Sequence, residues 1–96
     1  MSILKDPMHP GEVLKELYLD PLDMSPIALA RRLGVPRTRI ERLVKGTTGM
    51  TPDTAIRLAR VFNTIPAYWM NLQTNYDMVV AEKSIDVSKI KPLNAA

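Results

Sequence analysis

Between Ser25 and Asn63 the chain carries start and stop signals around short apolar-periodic segments, and this punctuation constrains the fold to short helices joined by turns. Ser25-Pro26 is an N-cap followed by a proline suited to the first helical turn, and the segment Ile27 to Leu33 ends at Gly34, a natural left-handed stop. Pro36 or Val35 opens the next helix, whose apolar positions are Ile40, Leu43 and Val44 and whose end is Gly46 with the turn-like Thr47-Thr48-Gly49. Thr51-Pro52-Asp53 repeats the cap, the proline and an acidic first turn ahead of Ala55, Ile56, Ala59 and Phe62. Asn63, which tolerates the left-handed conformation, closes it. On either side, Pro10 to Leu19 carries Val13, Leu14, Leu17 and Tyr18, and Pro66 to about Glu82 carries Trp69, Leu72, Tyr76, Val79 and Val80. A chain of 96 residues, 46% of them hydrophobic, is right for one core and too short for two. The expectation is an all-α, compact five-helix bundle, with no internal repeat or low-complexity segment.

The second and third helices have a more specific relation. Two short helices joined tightly need a small residue where they cross, a glycine in the turn and apolar side chains filling the angle. Ala30, Gly34 and the set Leu29, Leu33, Val35, Ile40 and Leu43 meet those requirements in order, which is a strong helix-turn-helix signal. Turning Ile40 and Leu43 inward, at about 100° per residue, sends Arg37, Thr38, Glu41, Arg42 and Lys45 away from the core. Arginine's planar fork bonds guanine O6 and N7 together, and threonine offers one hydrogen bond or a methyl contact to thymine, so Arg37, Thr38 and Arg42 are assigned to base readout. Arg39 on the flank and Lys45 at the far end are assigned to phosphates, with Thr47 and Thr48 adding hydroxyl or backbone N–H contacts.

Charge agrees with that assignment. The net charge is +3, yet residues 31–45 alone hold six cations against Glu41, a local +5, leaving −2 for the rest of the chain. A polyanion surface and a solvated helical face both fit such a cluster. Arg31 and Arg32 close the second helix, where cations favour the dipole, and are read as structural.

Other chemistries find little support. There is no cysteine, and His9 is the single histidine, so His9 with Glu12 is read as a helix start rather than a metal or acid-base pair. No nucleophile-base pair or metal set appears, which argues against an enzyme and against a cofactor. Trp69, Leu72 and Tyr76 form a stripe suited to core or dimer interface, and Met50 to gap filling. No apolar run approaches a membrane span, and MSILKDPMHPGE lacks a basic flank before a long apolar segment, so a soluble intracellular protein is expected.

From His9 to about Val80 the chain resembles the HigA-type, VapI-like antitoxins of the Xre/Cro-like helix-turn-helix superfamily. The resemblance rests on His9-Pro10-Gly11-Glu12, Ala28-Leu29-Ala30 with Leu33-Gly34-Val35-Pro36, Thr51-Pro52-Asp53-Thr54-Ala55 with Arg57-Leu58-Ala59, and Trp69-Met70-Asn71-Leu72-Gln73. It implies a lambda-repressor-like bundle and a cytoplasmic bacterial homodimer. It further implies binding of double-stranded DNA at a near-palindromic operator and neutralisation of a RelE-like mRNA-cleaving toxin. A stand-alone Xre-family regulator without a toxin, and a toxin-binding module with weak DNA recognition, are the alternatives.

Three positions depart from the family pattern. Pro26 stands where such domains often have a glutamine bridging a phosphate and the recognition helix, which implies that this clamp is missing or replaced by backbone contacts. Ile65 replaces a serine N-cap before Pro66 unless Thr64 substitutes, and Asn63 replaces a glycine. Residues 1–9 are expected as a flexible N-terminus, 10–83 as the DNA-binding domain, and 84–96 as a tail. A disordered end, a dimer arm and a toxin-binding element all remain open for that tail, and a dimer or partner contact is favoured because its apolar residues are otherwise exposed.

Overall fold

A computed structural model of the chain describes residues 7–94, which contain five α-helices and no strand. They are α1 (Pro10–Leu14, continued by a π-helical turn over Lys15–Leu19), α2 (Pro26–Leu33), α3 (Arg37–Lys45), α4 (Pro52–Phe62) and α5 (Pro66–Glu82). Side-chain caps form where the residue types demand them. Ser25 accepts from the Ala28 N–H, Thr51 from the Thr54 N–H, and His9 Nδ1 from the Gly11 N–H. Gly34, Gly46 and Asn63 all adopt the left-handed conformation at their helix ends.

The first helix departs from the expected single stripe. The Asp20 N–H reaches the Lys15 carbonyl at 2.8 Å, an i to i+5 bond that widens the turn and delays the following side chains around the axis. Leu19 is thereby buried and Leu17, expected inside, is 61% exposed. On α4 the inward positions are Ala55, Leu58 and Ala59, so Ile56 also faces solvent, and on α5 Val79 is buried while Val80 is not.

The core has two poles. Leu29, Ala30, Leu33, Ile40 and Leu43 fill the angle between α2 and α3 as the sequence requires, with Val35 half-buried against them. At the other pole Trp69 is fully enclosed, with the rings of Tyr68 and Tyr18 centred 4.9 and 5.0 Å away and Phe62 at 6.2 Å. Its indole N–H donates to Thr64 Oγ1 at 2.8 Å. That bond turns Thr64 to the indole instead of to a cap, and α5, with Ile65 at its N-cap position, has no side-chain cap.

Gly11 sets how closely α1 approaches α3. A Cβ at this position would fall 1.7 Å from the Leu43 carbonyl oxygen and 2.5 Å from its carbon. Only a residue without a side chain admits this packing of helix against backbone. Of the expected flexible N-terminus, residues 1–6 lie outside the described residues, whereas residues 7–9 are half-buried and His9 stacks edge-on to Tyr76 at 5.0 Å. Beyond Glu82 the chain leaves the bundle without a further helix, and Ile85, Val87, Ile90 and Leu93 are exposed.

Candidate nucleic-acid interface

α3 is defined sharply at both ends. Pro36, in extended conformation, precedes it, so the helix begins at Arg37 one residue after the proline. At the other end Gly46 turns left-handed, and the Thr47 N–H and hydroxyl both donate to the Arg42 carbonyl, at 3.0 and 3.1 Å. Ile40 and Leu43, nearly inaccessible, anchor the inner face. All seven residues expected at the interface, Arg37, Thr38, Arg39, Arg42, Lys45, Thr47 and Thr48, are exposed, while Glu41 is half-buried.

Their hydrogen bonds separate them. Among the described residues Arg37, Arg42 and Lys45 take part in no ion pair, so their charge is uncompensated by a direct partner. Arg39 differs: its Nη1 donates to Asp53 Oδ1 at 2.7 Å. Thr47 differs too, since its hydroxyl proton is engaged in closing α3 and a phosphate oxygen offers no proton in return. Thr48 stays beside a groove of about 420 Å³ between α3 and the start of α4, walled by Thr38, Arg39, Arg42, Thr51 and Asp53.

Asp53 is the hinge of a wider set of bonds. Its Oδ1 also accepts from Arg57 Nε at 2.7 Å, and Arg57 Nη1 donates to the Leu33 carbonyl at 2.8 Å, near the C-terminus of α2. One carboxylate thus links α3, the first turn of α4 and, through Arg57, the end of α2. Hydrogen bonds from Arg57 and then Arg39 hold the Asp53 carboxyl below its ordinary range.

The loop after α3 is tied from another side. Gln73 on α5 accepts the Met50 N–H at 2.6 Å through Oε1 and donates to Asp77 at 2.8 Å through Nε2. The cap, proline and acid pattern accounts for Asp53 only as a helix-start acid, and the local sequence assigns Gln73 no hydrogen-bond partner. The i, i+4 spacing of Asp53 and Arg57 was an available signal. The Arg39–Asp53 and Met50–Gln73 pairs, 14 and 23 positions apart, needed the fold.

No group of three or more potential metal ligands converges among the described residues, and no helix there is long and apolar enough to cross a membrane. His9 Nδ1, by accepting the Gly11 N–H, serves the start of α1. The surface offers cations and hydroxyls on a firmly held short helix, which is chemistry for phosphates and base edges.

Residues 14–70 match the helix-turn-helix family. The chain is 46% identical to virulence-associated protein I of Dichelobacter nodosus over 79% of this chain and 70% of that protein. It is 35% identical to antitoxin HigA-1 of Vibrio cholerae serotype O1 over 75% of this chain and 68% of the other. Among solved structures it is similar to Pseudomonas aeruginosa antitoxin HigA with the higBA promoter. That likeness has a TM-score of 0.83 and 42% identity, and covers 91% of this chain and 98% of that one.

Proposed function

The chain belongs to the HigA-type, VapI-like branch of the Xre-like helix-turn-helix family, which is not an enzyme class, and we propose that it is a sequence-specific DNA-binding antitoxin repressing its own operon. The observation that carries this reading is α3 itself: Ile40 and Leu43 fix its inner face, and Arg37, Arg42 and Lys45 stand on its outer face without ion-pair partners among the described residues. Arg37, Thr38 and Arg42 read base edges in the major groove, while Lys45 and Thr48 meet phosphates. The promoter-bound likeness of the Pseudomonas HigA structure supports the same use of α3. In a homodimer two such helices enter successive major grooves about 34 Å apart on a near-palindromic operator, and occupancy blocks the promoter. Residues 10–83 form the DNA-binding unit and the tail from Ser84 onward contacts the dimer partner or the toxin, a RelE-like mRNA-cleaving enzyme neutralised in the bacterial cytoplasm.

Fluorescence anisotropy with the DNA upstream of its own reading frame, against a scrambled duplex at two salt concentrations, tests the operator role. Tight binding to the upstream duplex that disappears in Arg37→Ala/Arg42→Ala is expected. Equal, salt-sensitive binding to both duplexes would leave only non-specific electrostatic affinity and refute the repressor reading. Co-expression with the product of the neighbouring short basic reading frame tests the antitoxin role: a stable complex and restored growth are expected.

A further inference from the structure

The geometry points to Asp53 as a specificity-determining residue, one that acts through Arg39 to keep a cation of the recognition helix from serving as a general phosphate ligand. This inference rests on the DNA-binding reading above. Three observations carry it. First, Asp53 sets a carboxylate in the wall of the groove between α3 and α4, the same wall that Thr38, Arg42 and Thr48 line. That carboxylate occupies the Arg39 Nη1 donor in the place of a phosphate oxygen, whatever the base sequence. Second, Asp53 Oδ1 bonds Arg39 Nη1 and Arg57 Nε at the same distance, 2.7 Å, and Arg57 is itself fixed on the Leu33 carbonyl. The carboxylate is therefore held in place, and Arg39 is held with it. Third, Arg37, Arg42 and Lys45 on the same helix lack any such partner among the described residues, so the neutralisation is selective for one position.

The consequence is a difference between duplexes. On the operator the base contacts of Arg37, Thr38 and Arg42 fix the register of α3, whereas on random DNA the protein settles in whatever register suits its cations, so an Arg39 freed for phosphate adds more to non-specific than to operator binding. Specificity is a difference of affinities, and an element that penalises the wrong ligand raises it as well as one that favours the right ligand. Asp53 is therefore a positioning residue: it directs the Arg39 fork at α4 and away from phosphate.

The test measures wild type, Asp53→Asn, Arg39→Ala and the double variant on the upstream and scrambled duplexes, each across a salt series, with thermal unfolding as a check on folding. Asp53→Asn should tighten scrambled-duplex binding about 10-fold, lower the operator-to-scrambled ratio, and steepen the slope of log affinity against log salt by about one, as one released cation requires. In the Arg39→Ala background the same substitution should have under about a third of that effect on a logarithmic scale. Arg39→Ala alone should keep the wild-type slope to within about 0.3, and this arm decides the matter even if Asp53→Asn does not fold. An unaltered ratio in a folded Asp53→Asn protein, an effect that persists undiminished without Arg39, or a slope reduced by about one in Arg39→Ala overturns the inference. If the wild type itself fails to distinguish the duplexes, the repressor reading falls and this role with it. A discriminating wild type with any of the preceding results overturns the role of Asp53 alone.

Discussion

Replacing Gly11 by alanine sets two physical effects against each other. Helix propensity favours alanine by up to about 1 kcal/mol, so a view confined to α1 expects stabilisation. Packing opposes it: the new Cβ would lie 1.7 Å from the Leu43 carbonyl oxygen, 2.5 Å from its carbon and 3.1 Å from the Val44 Cα. A relaxed carbon-to-oxygen contact needs about 3.3 Å, so α1 and α3 must separate by about 1.6 Å. The atoms met are helix backbone, which cannot swing aside as a side-chain end can. Separation on that scale removes close contacts along the whole α1–α3 seam, where a gap of 0.5–1 Å already forfeits about a quarter to a half of the attraction between atom pairs. Overpacking costs about 1–3 kcal/mol and at times more; backbone meeting backbone puts this site at about 3 kcal/mol, so the net destabilisation should be about 2 kcal/mol after a propensity gain of about 1 kcal/mol. In a domain of this size that lowers the midpoint of thermal unfolding by about 8–16 °C, measured by circular dichroism at 222 nm. Gly49→Ala is the internal comparison: the three atoms nearest its Cβ would all belong to the Gln73 amide, at 3.0–3.3 Å. A flexible side chain can retreat by that amount, so a loss under about 1 kcal/mol is expected. A Gly11→Ala protein that melts at or above the wild-type temperature would refute the reasoning, because propensity would then outweigh the approach of α3.

Other substitutions isolate single interactions. Arg42→Ala should cost about 1–3 kcal/mol on the operator and relax preference at one base pair, whereas Lys45→Ala should weaken all sequences alike and reduce the salt slope by about one; identical profiles across operator variants would contradict the division between readout and phosphate contact. Thr64→Val leaves the indole N–H of the fully buried Trp69 without its acceptor and should lower stability by about 1–3 kcal/mol in urea unfolding, and an unchanged midpoint would deny that bond a role. Asp53 has a folded-state pKa below its ordinary 3.8, so its contribution is present above that value and is lost as pH falls through the lowered one. The acid limb of a stability-versus-pH curve should therefore be shallower in Asp53→Asn than in wild type, and coincident limbs would count against the bonds to Arg39 and Arg57.

The architecture was legible wherever local chemistry and fold agree. Ser25, Thr51, Gly34, Gly46 and Asn63 mark helix ends through their own backbone and capping preferences, and each does so in the structure. The helix-turn-helix core was equally legible, because Leu29, Ala30, Leu33, Ile40 and Leu43 satisfy a steric pattern within a short stretch. Periodicity misled at Leu17 because a π-helical turn changes the angular step that the pattern assumes, and at Ile56 because the inner face of α4 is taken by Thr54, Ala55, Leu58 and Ala59. Thr64 was weighed as a cap on local grounds, yet a buried indole N–H has no water to turn to and recruits the nearest hydroxyl.

For the interface, facing was legible and pairing was not. Amphipathic spacing turns Arg37, Arg42 and Lys45 outward and sets Arg39 on the flank, but it does not tell a paired cation from an unpaired one. What distinguishes Arg39 is a carboxylate from the next helix, placed by how α4 leaves the turn at Thr51. The same holds for Gly11, whose need for glycine arises from a carbonyl of Leu43, and for Gln73, whose amide serves the Met50 N–H. Each of these contacts joins α3 or the loop after it to a different element: α1 at Gly11, α4 at Asp53 and α5 at Gln73. A short helix has little stability of its own and cannot hold its outer side chains in register unaided. The residues that hold α3 in place therefore lie outside it, and they become visible only when the helices are brought together.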